Sequence, residues 1–168
     1  RIFQRASTQN KIPAFVVGAG PSLDAAVESI RYYKNDAIII SCGTALTALL
    51  SDGIKPDFHV ELENTPDIYE EILDLKTIYG LDDITLVGST SIFPTIAGLF
   101  DSVVLFFRTG VASDPMFRIK EGSEIPYCFP QVANLGTSLA GELGCKTVYL
   151  FGVDLGSTNP SQHYAKKT

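Results

Sequence analysis

The chain has few charged residues, and acidic ones are in excess. Only 19% of its 168 residues are charged, and the formal net charge is −6 at pH 7. Proteins dedicated to nucleic acid are usually basic, so this balance argues against a nucleic-acid polymer as partner. A single nucleotide stays compatible with it, because one helix N-terminus can hold one phosphate group.

Long apolar runs and a secretory leader are also missing. No apolar run approaches the roughly 20 residues that a membrane helix needs, so we predict no membrane span. No leader is visible at the start. Because the chain begins at Arg1 and its only methionine is Met116, we expect a domain excised from a longer protein.

Cysteine is scarce, and its spacing fits no zinc or redox motif. Cys42, Cys128 and Cys145 lie far apart in apolar surroundings, and the sequence has only two histidines to join them. Buried free thiols in a reducing compartment are the expected state. We therefore predict a cytoplasmic protein without a cysteine-bound metal.

Short apolar runs alternate with helical patterns along the chain. We predict six strands, over 14–17, 37–41, 58–63, 84–88, 103–107 and 147–151. Helical spacing predicts helices over 23–33, 45–50, 66–79 and 137–143, and a short helical piece at 94–100. The alternation indicates one α/β domain over residues 1–168, with a doubly wound, mostly parallel sheet of about six strands.

Three segments do not follow this alternation. Residues 1–11 and 157–168 are polar, and we expect a lead-in and a tail there. Residues 108–128 lose all periodicity and form the longest irregular stretch. Long irregular loops in compact domains are often functional, so we expect the same of this one.

The third predicted strand alternates in an unusual way. His59, Glu61 and Glu63 share one face, whereas a parallel strand buried on both faces should be apolar throughout. Either the strand is at an edge of the sheet, with these residues solvated, or its polar face lines a cleft. In a cleft, the two glutamates would raise each other's pKa or share a cation. We expect His59 to be structural.

A glycine turn, Gly18-Ala19-Gly20-Pro21-Ser22, joins the first strand to the first helix. Backbone N–H groups and the positive end of a helix dipole make such a turn an anion site, most often for phosphate. The glycines let an oxyanion approach the backbone, Pro21 presets φ, and Ser22 caps the helix or donates its hydroxyl to a phosphate oxygen.

The turn lacks two features of the best-known phosphate loops. Leu23 stands where the dinucleotide fingerprint needs a third glycine, and no Gly-Lys-Ser/Thr follows. A dinucleotide site and a P-loop are therefore disfavoured. Taken alone, the turn is equally consistent with a purely architectural role.

Polar residues collect where the predicted strands and the last helix meet the same edge of the sheet. In doubly wound sheets, ligands bind beyond the carboxyl ends of the strands. Hydroxyls, amides and N–H groups suit a ribose and a phosphate, and carboxylates suit sugar hydroxyls, a general base or Mg²⁺. The residues are Cys42, Gly43, Thr44, Glu61, Glu63, Asn64, Ser89, Asn134, Thr137, Ser138 and Asp154.

Two of the candidate residues leave alternatives open. Asp154 lies between Gly152 and Gly156 after a buried strand, where a turn role and a metal, ribose or base role are both consistent with the sequence. His163 lies in the polar tail, as a surface histidine or as a general base folded back over the cleft.

Four ordered motifs resemble the motility-associated factor (Maf) glycosyltransferase family. They are Gly-x-Gly-Pro-Ser-Leu-Asp at 18–24, Cys-Gly-Thr-Ala-Leu at 42–46, Gly-Ile-Lys-Pro-Asp-Phe-His-Val-Glu-x-Glu-Asn at 53–64 and Leu-Phe-Gly-Val-Asp-Leu-Gly at 150–156. The resemblance covers nearly the whole chain. It implies a Rossmann-like, sialyltransferase-like fold. It also implies transfer of a nonulosonic acid, such as pseudaminic or legionaminic acid, from a CMP-activated donor to Ser/Thr of flagellin.

The resemblance also implies roles for individual residues. The donor phosphate would lie at Gly18, Gly20, Pro21 and Ser22, and we add Cys42, Gly43 and Thr44 to the nucleotide site. The sugar or ribose would lie among Glu61, Glu63, Asn64, Asn134 and Asp154, and we add Ser89, Thr137 and Ser138 to the sugar or ribose site. CMP would leave against the amides of 20–23, and Glu61, Asp154 or His163 would deprotonate the acceptor hydroxyl.

Two alternatives remain. The domain is also similar to the 6-hydroxymethylpterin pyrophosphokinase, a diphosphotransferase that would need Mg²⁺ on acidic side chains such as Glu61, Glu63 or Asp154. The sequence has no basic cluster near the glycine turn to neutralise a triphosphate, which favours the CMP-sugar. The third reading is a nucleotide-binding module without catalysis.

Overall fold

The computed structural model describes residues 11–108, 124–156 and 162–168. The strands are β1 (Ala14–Val17), β2 (Ile38–Cys42), β3 (Phe58–Glu61), β4 (Thr85–Ser89), β5 (Ser102–Arg108), β6 (Glu124–Ile125) and β7 (Val148–Phe151). The helices are α1 (Leu23–Tyr33), α2 (Ala45–Ser51), α3 (Pro66–Tyr79), α4 (Val132–Glu142) and a 3₁₀ helix, Pro94–Leu99. Residues 1–10, 157–161 and most of the predicted functional loop (109–123) lie outside the described residues.

The strands form one parallel sheet in the order β6-β5-β4-β3-β2-β1-β7. The chain adds strands in one direction from β1 to β6, and then returns to place β7 on the other side of β1. This reversal is a topological switch point, where open α/β sheets bind their ligands. The predicted fold class is confirmed, with seven strands instead of six, because β6 lies in the stretch predicted as irregular.

Helices cover both faces of the sheet, which explains why β2 is apolar without alternation. Ile39 packs with Leu23 and Leu49 on the face covered by α1 and α2. Its neighbour Ile40 packs with Leu135 on the opposite face, which α4 covers. Ile39 and Ile40 therefore each meet a helix, although their side chains point to opposite faces.

The third helix begins and ends where the sequence predicts. Thr65 is extended (φ −120°, ψ 148°), Pro66 takes the first helical position, and Gly80 ends the helix with a positive φ of 70°. Ile68, Ile72 and Leu75 form its buried stripe. Within the described ranges, no helix has the length and apolar character needed to cross a bilayer.

Two sequence interpretations of β3 were offered, and the edge position is wrong. β3 is the fourth of seven strands and pairs with β2 and β4 on either side. His59 and Glu61 are each only 1% exposed. Their face of the strand is therefore covered by protein and does not meet solvent.

The predicted start of the last helix, at residue 137, is wrong by five residues. The helix begins at Val132, after Gln131, whose N–H donates to Asn134 Oδ1 (3.1 Å). The predicted helix starts only after Gly136, because glycine is unfavourable in a helix interior.

Gly136 allows α4 to approach the sheet closely. A Cβ at this position would lie 2.6 Å from Cys42 Sγ and 2.9 Å from Val16 Cγ1. Both distances are too short for carbon in contact with a side chain. The glycine therefore sets the distance between α4 and strands β1 and β2.

We predict that Gly136→Ala lowers the free energy of unfolding by about 1–3 kcal/mol, because the added methyl group overpacks the helix–sheet interface. Gly141→Ala is the matched control on the same helix, since a Cβ there meets nothing within 4 Å. Its higher helix propensity should stabilise the protein by about 0.5–1 kcal/mol. Chemical denaturation measures both; equal effects of the two substitutions would contradict this view of α4 packing.

Candidate functional site

A cavity of about 340 Å³ opens at the carboxyl edge of the sheet, where β1 and β7 meet. It therefore lies at the topological switch point. Its lining comprises Gly18, Ala19, Gly20, Cys42, Thr44, Gln131, Val132, Ala133, Gly152, Val153, Asp154, His163 and Tyr164. Six of these residues are site residues predicted from the sequence: Gly18, Gly20, Cys42, Thr44, Asp154 and His163.

The glycine turn packs directly against the turn that follows β7. The N–H of Gly18 donates to Phe151 O (2.8 Å), and the N–H of Gly20 donates to Gly152 O (2.7 Å). A Cβ at Gly18 or Gly20 would lie 2.6 or 2.7 Å from Gly152 O. Glycine is required at both positions because two backbone segments meet there.

An oxyanion does approach this turn, and it is supplied by the chain itself. Asp154 Oδ2 accepts the N–H of Ser22 at 2.8 Å, and a Cβ on Gly20 would collide with the same oxygen. The carboxylate lies at the N-terminus of α1, where the helix dipole favours negative charge. The Ser22 side chain makes no capping hydrogen bond, so Asp154 takes the place of the predicted serine cap.

The expected phosphate cradle at residues 20–23 needs correction. The N–H groups of Gly20 and Ser22 have the partners just described, and the N–H of Leu23 donates to Gly20 O (3.0 Å). Pro21 has no N–H. The turn therefore forms a wall of the cavity, but these amides are already bonded within the chain.

The N-terminus of the last helix, which the sequence predicts at this edge but five residues too late in the chain, faces the same cavity. Gln131, Val132 and Ala133 begin α4 and line the cavity. The first N–H groups of a helix have no intrahelical partner and carry the positive end of its dipole. The α4 N-terminus favours an anion in this cavity. The α4 N-terminus lies at the cavity because the helix begins at Val132.

The tail folds back over the glycine turn. Ala165 is buried, and its N–H donates to Ala19 O at 2.8 Å. The N–H of Lys166 donates to Asp24 Oδ1 (3.0 Å). These contacts hold His163 at the cavity, where it lines the wall together with Asp154. An adjoining cavity of about 480 Å³ is lined by the same two residues.

Three residues predicted for sugar binding lie on the outer side of α4. Asn134, Thr137 and Ser138 line a neighbouring cavity of about 330 Å³. The Thr137 hydroxyl donates to Ala133 O at 2.8 Å. This cavity shares Ala133 with the cavity at the switch point, so the two spaces meet at the first turn of α4.

The structure does not bring the remaining predicted residues to the cavity. Glu63 and Asn64 are exposed after β3 and are not among its lining residues. Ser89 is fully buried, and its hydroxyl pairs with Ser91 Oγ (2.8 Å), so its side chain does not line the cavity. Glu61 is also buried and is not among the lining residues.

The second nucleotide motif contributes mainly backbone. Gly43 has a positive φ of 54°, and its N–H donates to Val60 O (3.2 Å). Burial, followed by the charge of Glu61, raises the pKa of the Cys42 thiol. Cys42 therefore stays protonated and is not a nucleophile. Among the described residues, no three His, Cys, Asp or Glu side chains gather closely enough to hold a metal ion.

The fold agrees with comparisons to known proteins. The profile of the family described as 6-hydroxymethylpterin diphosphokinase MptE-like matches residues 1–160, so the chain belongs to the MptE-like family. The chain is also similar to the Maf glycosyltransferase from Magnetospirillum magneticum AMB-1. The two are 41% identical over 96% of this chain, with a TM-score of 0.88. The resemblance predicted from the four motifs is confirmed.

The match covers only part of each relative. The chain spans 26% of the Magnetospirillum protein. It is also 36% identical over 50 residues to an uncharacterized protein of Treponema pallidum (strain Nichols), which corresponds to 30% of this chain and 24% of that protein. The chain therefore spans about a quarter of the length of these relatives.

We predict that Asp154→Ala lowers the free energy of unfolding by about 1–2 kcal/mol, because the Ser22 N–H and the α1 dipole lose their anion. Asp154→Asn should cost less, since an amide oxygen still accepts the bond. Asp74→Ala, at an exposed position of α3, is the control and should change stability by less than about 0.5 kcal/mol. Chemical denaturation measures all three; an unchanged Asp154→Ala protein would contradict the capping role.

Proposed function

We propose that the chain is the donor-binding domain of a glycosyltransferase. The enzyme would transfer a nonulosonic, sialic-acid-like sugar from a CMP-activated donor to Ser/Thr of flagellin. The cavity at the β1–β7 switch point carries the proposal, since it joins a helix N-terminus, Asp154 and His163. The likeness to a Maf glycosyltransferase over 96% of the chain supports it. The sugar and the flagellin acceptor rest on the sequence motifs, and a cytoplasmic location rests on the expected free thiols.

The proposed place of the donor follows from the cavity walls. A volume of about 340 Å³ falls in the usual range of small-molecule sites. The CMP phosphate would lie between the Gly18–Gly20 turn and the first turn of α4. Ribose or sugar hydroxyls would reach the neighbouring cavity lined by Asn134, Thr137 and Ser138.

The proposed chemistry is a displacement at the anomeric carbon. The acceptor hydroxyl oxygen forms a bond to that carbon, while the bond from the carbon to the CMP phosphate oxygen breaks and its electron pair stays with CMP. The α4 N-terminus stabilises the charge that develops on the phosphate. The hydroxyl proton passes to His163 or Asp154, which line the cavity together.

A second candidate function has a specific observation in its favour. The matching family is described as 6-hydroxymethylpterin diphosphokinase MptE-like. A diphosphokinase transfers a diphosphate from ATP with Mg²⁺, so it requires a triphosphate in this cavity instead of a CMP-sugar. The two functions differ in the nucleotide that binds, which makes binding the first experiment.

We predict that millimolar CMP raises the melting temperature of the 168-residue domain, because a ligand that binds only the native state stabilises it. Cytidine, which has no phosphate, is the matched ligand and should give a smaller shift. Differential scanning fluorimetry measures both. If CMP and CMP-sugars give no shift while ATP with Mg²⁺ does, the CMP-sugar proposal is wrong and the diphosphokinase is favoured.

We predict that His163→Ala in the full-length protein lowers the rate of sugar transfer by about 10²–10⁴-fold, because a general base is lost. The CMP-induced shift in melting temperature should persist in the domain. Lys166→Ala is the control on the same tail, since only the backbone of Lys166 makes the contact with Asp24. If His163→Ala and Asp154→Asn both transferred sugar at the wild-type rate, this domain would be better described as a nucleotide-binding module without catalysis.

A further inference from the structure

The polar face of β3 lies inside the protein, in a layer that the proposed function does not use. His59 and Glu61 stand two residues apart on the same face of the strand, and each is 1% exposed. His59 Nε2 and Glu61 Oε2 are 3.8 Å apart. This is beyond hydrogen-bond distance, and neither atom has a hydrogen-bond partner among the described residues, so two unpartnered buried polar atoms lie side by side.

The rest of the His59 ring is fixed by its surroundings. Its Nδ1 lies 3.1 Å from Ser41 Oγ, and Ser41 Oγ lies 3.3 Å from Phe58 O. Phe100 stacks on the ring, with the centroids 5.9 Å apart. If the Ser41 hydroxyl donates to Phe58 O, it accepts the Nδ1 proton of His59. In that tautomer, Nε2 is an acceptor.

The other oxygen of Glu61 holds the chain that follows β3. Glu61 Oε1 accepts the N–H of Leu62 at 2.7 Å and the N–H of Glu63 at 2.8 Å. Both acceptor sites of Oε1 are thereby used, so in a neutral carboxyl group the proton lies on Oε2. Oε2 is then a donor 3.8 Å from the acceptor His59 Nε2, about 1 Å beyond the usual hydrogen-bond distance. A neutral acid therefore places a donor beside an acceptor, whereas a carboxylate would place two acceptors side by side.

We propose that Glu61 is a positioning residue, which stays protonated beside His59 and fixes the segment that carries Glu63 and Asn64. This role differs from the catalytic role that the sequence predicts for Glu61. It does not depend on the identity of the nucleotide or the sugar.

The electrostatic surroundings favour this protonation state. Burial raises the pKa of Glu61 to about 7; the N–H groups of Glu63 and Leu62 lower it, and the charges of Glu63 and of Glu71 on α3 raise it. Burial lowers the pKa of His59 to about 4. The Cys42 thiol on β2 also faces this pair, because the charge of an ionised Glu61 raises the pKa of the thiol.

The two shifts have opposite effects on stability. A raised carboxyl pKa stabilises the fold below the unfolded value, about 4.3, and this contribution is lost as the pH rises to about 7. A lowered histidine pKa stabilises the fold above about 6.5, and this contribution is lost as the pH falls to about 4. Between about pH 5 and 6.5 one contribution falls and the other rises with pH, so in the intact pair their changes with pH nearly cancel.

In a variant that lacks one partner, the pH dependence that the other partner gives to stability should become measurable. We expect the unfolding constant of His59→Gln, divided by that of the wild type, to rise about tenfold or more between about pH 5 and pH 7. For Glu61→Gln, the same ratio should fall about tenfold or more over this range. The double variant should show a nearly flat ratio, and Glu70→Gln, an exposed residue of α3, is the control. The proposal would be overturned if these ratios did not change with pH, or if they changed in the same direction for His59→Gln and Glu61→Gln.

Glu61→Gln also tests the positioning role. Its amide resembles the neutral acid, since Oε1 can accept the same two N–H groups and the amide nitrogen offers a donor beside His59 Nε2. Hydrogen exchange of the Leu62 and Glu63 amides should therefore be as slow as in the wild type, and much faster in Glu61→Ala. Equal exchange in both variants would overturn the role.

If a variant fails to fold, carboxyl NMR of the wild type decides, since a Glu61 signal that titrates below about pH 5 contradicts the proposal.

Discussion

The structure depends on a close approach of two backbone segments at the carboxyl edge of the sheet. The turn after β1 and the turn after β7 meet at Gly18, Gly20 and Gly152, where no side chain fits. Asp154 then ties the end of β7 to the start of α1 through the Ser22 N–H. This junction sets the floor of the cavity, and the tail and the first turn of α4 close its sides.

Burial separates the acidic residues of the predicted site into two roles. Asp154 lines the cavity and carries its charge at a helix N-terminus, where the dipole favours it. Glu61 lies inside the protein beside His59, where burial favours the neutral acid. A carboxyl group that follows one strand thus lines a cavity, whereas a carboxyl group at the end of another strand is enclosed by protein.

The sequence predicted local features well and contacts between distant segments poorly. Thr65, Pro66 and Gly80 bound α3 because capping is a local property. Gly136 was misjudged, since its reason is contact with Cys42 and Val16 on the sheet. Likewise, the glycine turn was correctly placed at the cavity, but its Asp154 partner is 132 residues away from Ser22. The sequence left β3 between an edge and a cleft and did not predict that its polar face is buried, because buried polar faces are rare in parallel sheets.

The central claim is that the cavity between β1, β7 and α4 binds the nucleotide of the sugar donor. A crystal structure of the domain with CMP tests it most directly. The account predicts that the CMP phosphate lies between the Gly18–Gly20 turn and the α4 N-terminus, within reach of His163. Nucleotide bound elsewhere, such as in the apolar groove lined by Phe15 and Tyr149, would contradict it.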